Sequence, residues 1–216
     1  MIDYKDKPSG YYDNARLEML KYLPENATRI LDVGCGRGVL AELIKNKNKA
    51  EVWGIELMES EGLEATPKLD KVFIGPCENF IDNLPDNYFD VIYFNDVLEH
   101  LVDPHNVLER IKQKLSPDGV IVSSIPNVRF YKTFARVVFG KDWKYDDFGV
   151  MDKTHLRFFT SKTIKRMYED LGYKIQLHEP LNVTRSLKPL LFNVLVLFTQ
   201  MDIRYLQYAT VVSVKR

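Results

Sequence analysis

Three glycines join a strand to a helix in Ile30-Leu31-Asp32-Val33-Gly34-Cys35-Gly36-Arg37-Gly38, and a carboxylate stands on the strand just before them. Such a turn lets the backbone close on a ligand, and the helix N-terminus beyond it offers free N–H groups. The spacing is G-x-G-x-G, one residue tighter than the G-x-G-x-x-G that cradles a dinucleotide. Asp32 would repel a pyrophosphate in that place. An acidic strand end and a tight turn instead suit a ligand carrying positive charge and hydroxyls. Glu56 follows Gly38 by eighteen residues at the end of a second apolar run. A carboxylate there can accept both hydroxyl hydrogens of a ribose in charge-assisted hydrogen bonds.

A second group has other chemistry. Asp96, Glu99 and His100 stand at i, i+3 and i+4, so a helix beginning near Asp96 sets all three on one face. No metal is required by the sequence. These three could nevertheless hold a divalent ion that polarises an acceptor hydroxyl, act in proton transfer, or cap a short helix and bond neighbouring loops. Imidazole titrates near neutral pH, so His100 and His155 are the candidates for a catalytic base or acceptor ligand. A structural hydrogen-bonding role competes for each.

The elements that must position these groups alternate along the chain. Strand-length apolar runs at Arg29–Val33, Val52–Leu57, Val72–Gly75, Val91–Phe94 and Val120–Ile125 alternate with helical patterns, the signature of a parallel sheet covered by helices. A first helix spans about Tyr11 to Leu23 and stops before Pro24. Asp103-Pro104 opens another, carrying Val107, Leu108, Ile111 and Leu115 on one face, and Pro117-Asp118-Gly119 turns into the fifth strand. A helix from Ser161 to Leu171 closes at Gly172, and strands return at Lys174–Leu177 and Ala209–Val214. Residues 1–216 read as a single domain with an aromatic and basic insertion at about 126–157, a wall or lid for an acceptor. The expected fold is α/β, a Rossmann-like doubly wound seven-stranded sheet, mostly parallel with an antiparallel last strand.

The loop, Glu56, the Phe89-Asp90 lead into the fourth strand and Leu115-Ser116-Pro117-Asp118-Gly119 together resemble the class I S-adenosylmethionine (SAM) methyltransferases. The resemblance implies SAM as cofactor, with Gly34, Cys35, Gly36 and Gly38 forming the loop against its amino-acid portion. It further implies that Asp32 orders the loop or meets the ammonium, that Glu56 holds the ribose, and that the Asn95 carbonyl lies near the methionine moiety. Many members place Asp after the glycine that ends the third strand. Pro76 stands there in this chain, so the Cys77 backbone or Glu78 has to meet the adenine. Asp96-Val97-Leu98-Glu99-His100-Leu101-Val102-Asp103-Pro104 is similar to the ubiquinone-biosynthesis O-methyltransferases, and Asn14-Ala15-Arg16-Leu17 resembles their arginine near the cofactor carboxylate. Asp152-Lys153-Thr154-His155-Leu156-Arg157-Phe158-Phe159-Thr160 is similar to methyltransferases associated with surface polysaccharides. Methyl transfer to a hydroxyl or amine of a small molecule or saccharide is therefore expected. RNA methylation and a non-catalytic SAM-binding protein are the alternatives.

Bulk properties narrow the partners. Thirty basic and thirty acidic residues leave a formal net charge of zero, which argues against nucleic acid as a general partner. Two cysteines cannot build a disulfide framework, and no secretory signal opens the chain, so a cytoplasmic setting is expected. The apolar run Leu190 to Phe198 is nine residues long, and a membrane span needs about 20. It is either a buried helix or a dimer contact, or a contact with a lipid-linked substrate or membrane surface.

Overall fold

β-branched and aromatic residues recur in short runs bounded by turn residues, and these runs become the strands of one sheet. The computed structural model describes residues 16–215. The strands are β1 (Arg29–Val33), β2 (Glu51–Glu56), β3 (Lys71–Ile74), β4 (Phe89–Asn95), β5 (Leu115–Pro126), β6 (Tyr173–Val183) and β7 (Tyr205–Val214). They lie in the order β3-β2-β1-β4-β5-β7-β6. The first five are mutually parallel, and β7 runs antiparallel to both β5 and β6. This is the expected doubly wound sheet with its antiparallel last strand.

The α-helices are α1 (Val39–Asn48), α2 (Glu59–Ala65), α3 (Pro104–Ile111), α4 (Tyr131–Val138), α5 (Ser161–Asp170) and α6 (Lys188–Leu195). Neighbouring residues of the central strands enter opposite apolar layers. Leu31, Val33, Ile92 and Phe94 join one cluster, whereas Ile30, Val91 and Tyr93 join the other. Strands buried on both faces read as continuous apolar runs, which is why β1 and β4 are plain in the sequence. The order of strands reverses between β1 and β4, and a crevice opens there at their carboxyl ends.

Several expectations change. The helix drawn from Tyr11 begins outside the described residues; the described remainder is a 3₁₀ turn, Leu17–Tyr22, preceded by Arg16 at a left-handed φ of 45°. α3 is capped as expected, the Asp103 side chain accepting from the Asn106 N–H at 3.0 Å, but it ends at Ile111. Leu115 therefore leaves the helix and opens β5 opposite Phe89. Pairing then skips to Val91 opposite Val120, so Pro117-Asp118-Gly119 is an excursion within β5. A Cβ at Gly119 would lie 2.6 Å from the Phe89 carbonyl oxygen, which requires glycine there. β6 runs six residues past Leu177 because pairing with β7 continues to Val183 opposite Tyr205 and overrides the poor strand propensity of Pro180 and Asn182. The segment from Leu190 to Phe198 is not a buried helix, since Leu195 and Leu197 are each 83% exposed. No helix among the described residues is long and apolar enough to cross a membrane.

Candidate active site

The glycine loop is built by conformations that side chains resist. Gly34, Gly36 and Gly38 have φ of 75°, 53° and 75°. A Cβ at Gly34 would also sit 2.5 Å from Val97 Cγ2, so the loop and the chain after β4 approach as only glycine allows. The Gly34 N–H donates to the Ile55 carbonyl at 2.7 Å, which ties the loop to β2. Glu56 continues that tie: one carboxylate oxygen accepts from the Gly36 N–H at 2.7 Å and the other from the Met58 N–H at 2.8 Å. Each oxygen keeps a further lone pair for a ligand hydroxyl.

A cavity of about 760 Å³ opens over these groups, within the range of small-molecule sites. Its walls include Arg16, Asp32, Gly34, Cys35, Gly36, Glu56, Cys77, Glu78 and Asn95, and also Asp96, Glu99, His100 and His155. Among the residues singled out in the sequence, Gly38 alone does not line it. Gly38 serves behind the loop, as the left-handed residue before α1 and a close neighbour of Ala65 in α2, whose Cβ would lie 3.2 Å from a Gly38 Cβ.

Burial sets the electrostatics. Asp32 is pushed up to about 7 by burial and, less, by the charge of Glu56. Burial lifts Glu56 too, against the downward pull of the Met58, Gly36 and Leu57 backbone N–H groups. Two buried acids whose charged forms are disfavoured by burial favour a ligand that brings positive charge. Both polar atoms of the Asn95 side chain and the Tyr93 hydroxyl are buried without a hydrogen-bond partner. Asn95, expected to act through its carbonyl, lines the cavity and also carries this unsatisfied side-chain amide. With the glycine cradle and the two acids, the orphaned Asn95 amide fits a bound cofactor with ammonium, hydroxyl and ring-nitrogen groups.

The second group does not assemble as one helical face. Asp96 has a left-handed φ of 54°, and the turn that follows is a 3₁₀ helix of only Leu98–His100. Asp96 instead forms an ion pair with Arg16 and accepts from Gln207 Nε2 at 2.7 Å. Arg16 in turn donates to Gln207 Oε1 at 2.9 Å. Gln207 closes this network from β7, 191 positions from Arg16, and no local pattern could have pointed to it.

His155 takes the place beside Glu99 and His100 that Asp96 was expected to hold. Ligand atoms of Glu99, His100 and His155 all lie within 4.8 Å of one another. His100 Nδ1 lies 3.1 Å from the Thr154 carbonyl, and His155 Nδ1 lies 3.0 Å from the Val150 carbonyl. A carbonyl only accepts, so each Nδ1 carries the hydrogen. His155 Nε2 is 3.9 Å from a Glu99 oxygen. Glu99 is 1% exposed, its oxygens make no hydrogen bond, and burial together with the Asp96 charge holds it well above the usual carboxylate range. Asp152, the first residue of the polysaccharide-type motif and given no role there, fixes this loop by accepting from the Thr154 N–H at 2.9 Å and its hydroxyl at 2.8 Å. The aromatic insertion contributes Phe148 and Val150 to the cavity, and its Trp143 packs on Phe158 at 5.2 Å between ring centres.

Known proteins give an independent comparison. A family model described as a methyltransferase domain matches residues 5–178. The ubiquinone biosynthesis O-methyltransferase of Pasteurella multocida is 33% identical over 144 residues, covering 57% of this chain and 58% of that protein. Its namesake from Bradyrhizobium diazoefficiens is 32% identical over 118 residues, covering 53% and 46%. The chain thus spans about half the length of the curated relatives it matches. A SAM dependent methyltransferase from Archaeoglobus fulgidus shares the fold, with a TM-score of 0.72 at 20% identity over 93% of each chain.

Proposed function

The chain belongs to the methyltransferase domain family, with the class I SAM-dependent architecture and SAM as its cofactor, and from that premise we propose that it methylates a hydroxyl of a small molecule or saccharide. The observation that carries the proposal is that His100 and His155 line the same cavity as Asp32 and Glu56. When bound, SAM would supply a methyl on a sulfonium, with a neutral thioether as the leaving group for transfer to an acceptor oxygen. Glu56 holds the ribose hydroxyls and the glycine loop together. Asp32 and the Asn95 amide receive the amino-acid end, and Cys77 with Glu78 flanks the adenine. Arg16, already paired with Asp96, presents positive charge to the carboxylate of that end.

His155 accepts the acceptor's hydroxyl proton at Nε2, with Glu99 3.9 Å away to position its ring. His100 orients the hydroxyl from the other side, its ring 4.6 Å from that of His155. The relatives named for ubiquinone biosynthesis and O-methylation favour an oxygen acceptor over an amine, and the zero net charge disfavours RNA. Release of S-adenosylhomocysteine from SAM, measured against panels of phenols and sugar derivatives, identifies the acceptor. With that acceptor, His155→Gln is expected to lower kcat by about 10²-fold or more while SAM affinity stays unchanged. Retained turnover in that variant would overturn the role of His155.

A second reading is favoured by one observation: Glu99, His100 and His155 crowd their ligand atoms together while the Glu99 oxygens lack hydrogen bonds. Carboxylate and imidazoles in that arrangement would hold a divalent cation that polarises the acceptor hydroxyl. Chelator-sensitive turnover, together with direct titration of the ion into protein carrying Glu99→Gln, separates this from proton transfer by His155 alone.

A further inference from the structure

Among the described residues, the most exposed apolar run lies between β6 and β7. From Pro189 to Met201 the chain has no charged residue, yet Leu191, Val194, Leu195, Leu197 and Phe198 are all more than half exposed. A monomer seldom leaves so many large apolar side chains together in water without a partner.

This segment is folded, not frayed. Asn193 is fully buried and bonds only backbone: its amide donates to the Pro189 carbonyl at 2.8 Å and the Gln200 carbonyl at 3.1 Å, and its oxygen accepts from the Gln200 N–H at 2.9 Å. The segment's polar demands are thus met inward and its apolar side chains turn outward. Phe192 anchors α6 to α4, its ring 5.5 Å from that of Phe134.

Charge identifies the occupant. Arg185 and Lys188 sit at the entry to the apolar run and Lys132 on the supporting α4; all three are exposed, and none pairs with an acid among the described residues. Asp202, the acid nearest the run in sequence, is taken by Arg129. An apolar face rimmed by uncompensated bases matches an anionic lipid surface. A second copy of the chain, docked by the same face, would instead bring the same bases against each other. α6 has eight residues and cannot span a bilayer, so it would lie in the interface plane.

We propose that α6 and the following turn to Phe198 dock the protein on anionic membrane surfaces. Docking by this face is independent of which acceptor is methylated. β6 brings Asn182 and β7 brings Leu206 and Gln207 to the cavity wall on either side of the segment, so docking leaves the cavity at the membrane.

Sedimentation of the full chain with vesicles of phosphatidylcholine, alone or mixed with phosphatidylglycerol, tests this. Binding is expected to the mixed vesicles, to weaken with added salt, and to fall at least about tenfold in Leu195→Asp/Leu197→Asp. Circular dichroism and SAM binding of that variant check that it is folded. Arg185→Glu/Lys188→Glu, which leaves the apolar face intact, should lose the preference for anionic vesicles. Absence of binding to mixed vesicles, equal binding by the folded apolar variant, or a wild-type dimer that this variant converts to monomer would each overturn the proposal.

Discussion

Asp32 is the residue on which pH dependence turns. Its folded-state value is pushed up to about 7 from an ordinary 3.8, so below 3.8 it is protonated in folded and unfolded chains alike. Between 3.8 and about 7 the unfolded chain loses the proton first, and stability conferred at low pH is lost as pH rises. The full loss is about 4 kcal/mol at roughly 1.4 kcal/mol per pKa unit. Asp32→Asn should therefore raise the melting temperature of the ligand-free protein at pH 8 and leave it nearly unchanged at pH 4. The same substitution should weaken SAM binding, because the ligand's ammonium favours the charged carboxylate. Glu56 acts differently, as a partner for two backbone donors. Glu56→Ala strands the Gly36 and Met58 N–H groups and should cost about 1–3 kcal/mol in denaturant unfolding, in addition to ribose affinity.

Elements determine whether those residues meet. The loop between β1 and α1 demands left-handed backbone at Gly34 and room that a side chain would take from Val97. Gly34→Ala should lower stability by about 1–3 kcal/mol in denaturant melts and abolish measurable cofactor binding. At the other end of the sheet, His178 of β6 bridges Ser161 of α5 and Thr210 of β7, each at 2.9 Å. Burial pulls His178 down to about 4, so its contribution is full above 6.5 and is lost as pH falls from 6.5 through 4. His178→Gln should flatten that part of the acid-unfolding curve. The loop, Asp32 and Glu56 were legible because they sit within or directly after strands, where periodicity and spacing speak for position. The turn after β4 was not. Its helical spacing at Asp96, Glu99 and His100 suggested one face, but Arg16 and Gln207 draw Asp96 aside and His155 arrives from a distant loop. Contacts across 80 and 191 positions leave no mark in a local pattern.

At the scale of the molecule, alternating apolar runs were enough for the parallel half of the sheet, because those strands are buried on both faces. The β6–β7 half was less clear: its strands carry Pro180, Asn182 and Gln207, and pairing between them extends beyond propensity. The run from Leu190 to Phe198 was ambiguous for a physical reason, since apolar content alone does not say whether a segment faces a core or the outside. The cavity at the glycine loop is where the residues singled out in the sequence come together most fully, and the central proposal is that its two raised acids receive a positively charged ligand. Calorimetric titration of SAM into the full chain at pH 6 and pH 8, in two buffers of different ionisation enthalpy, tests it most directly. The account predicts one site, tighter binding at pH 8, and proton release on binding at pH 6 as Asp32 ionises. No heat at millimolar SAM, or tighter binding at pH 6 with proton uptake, would contradict it.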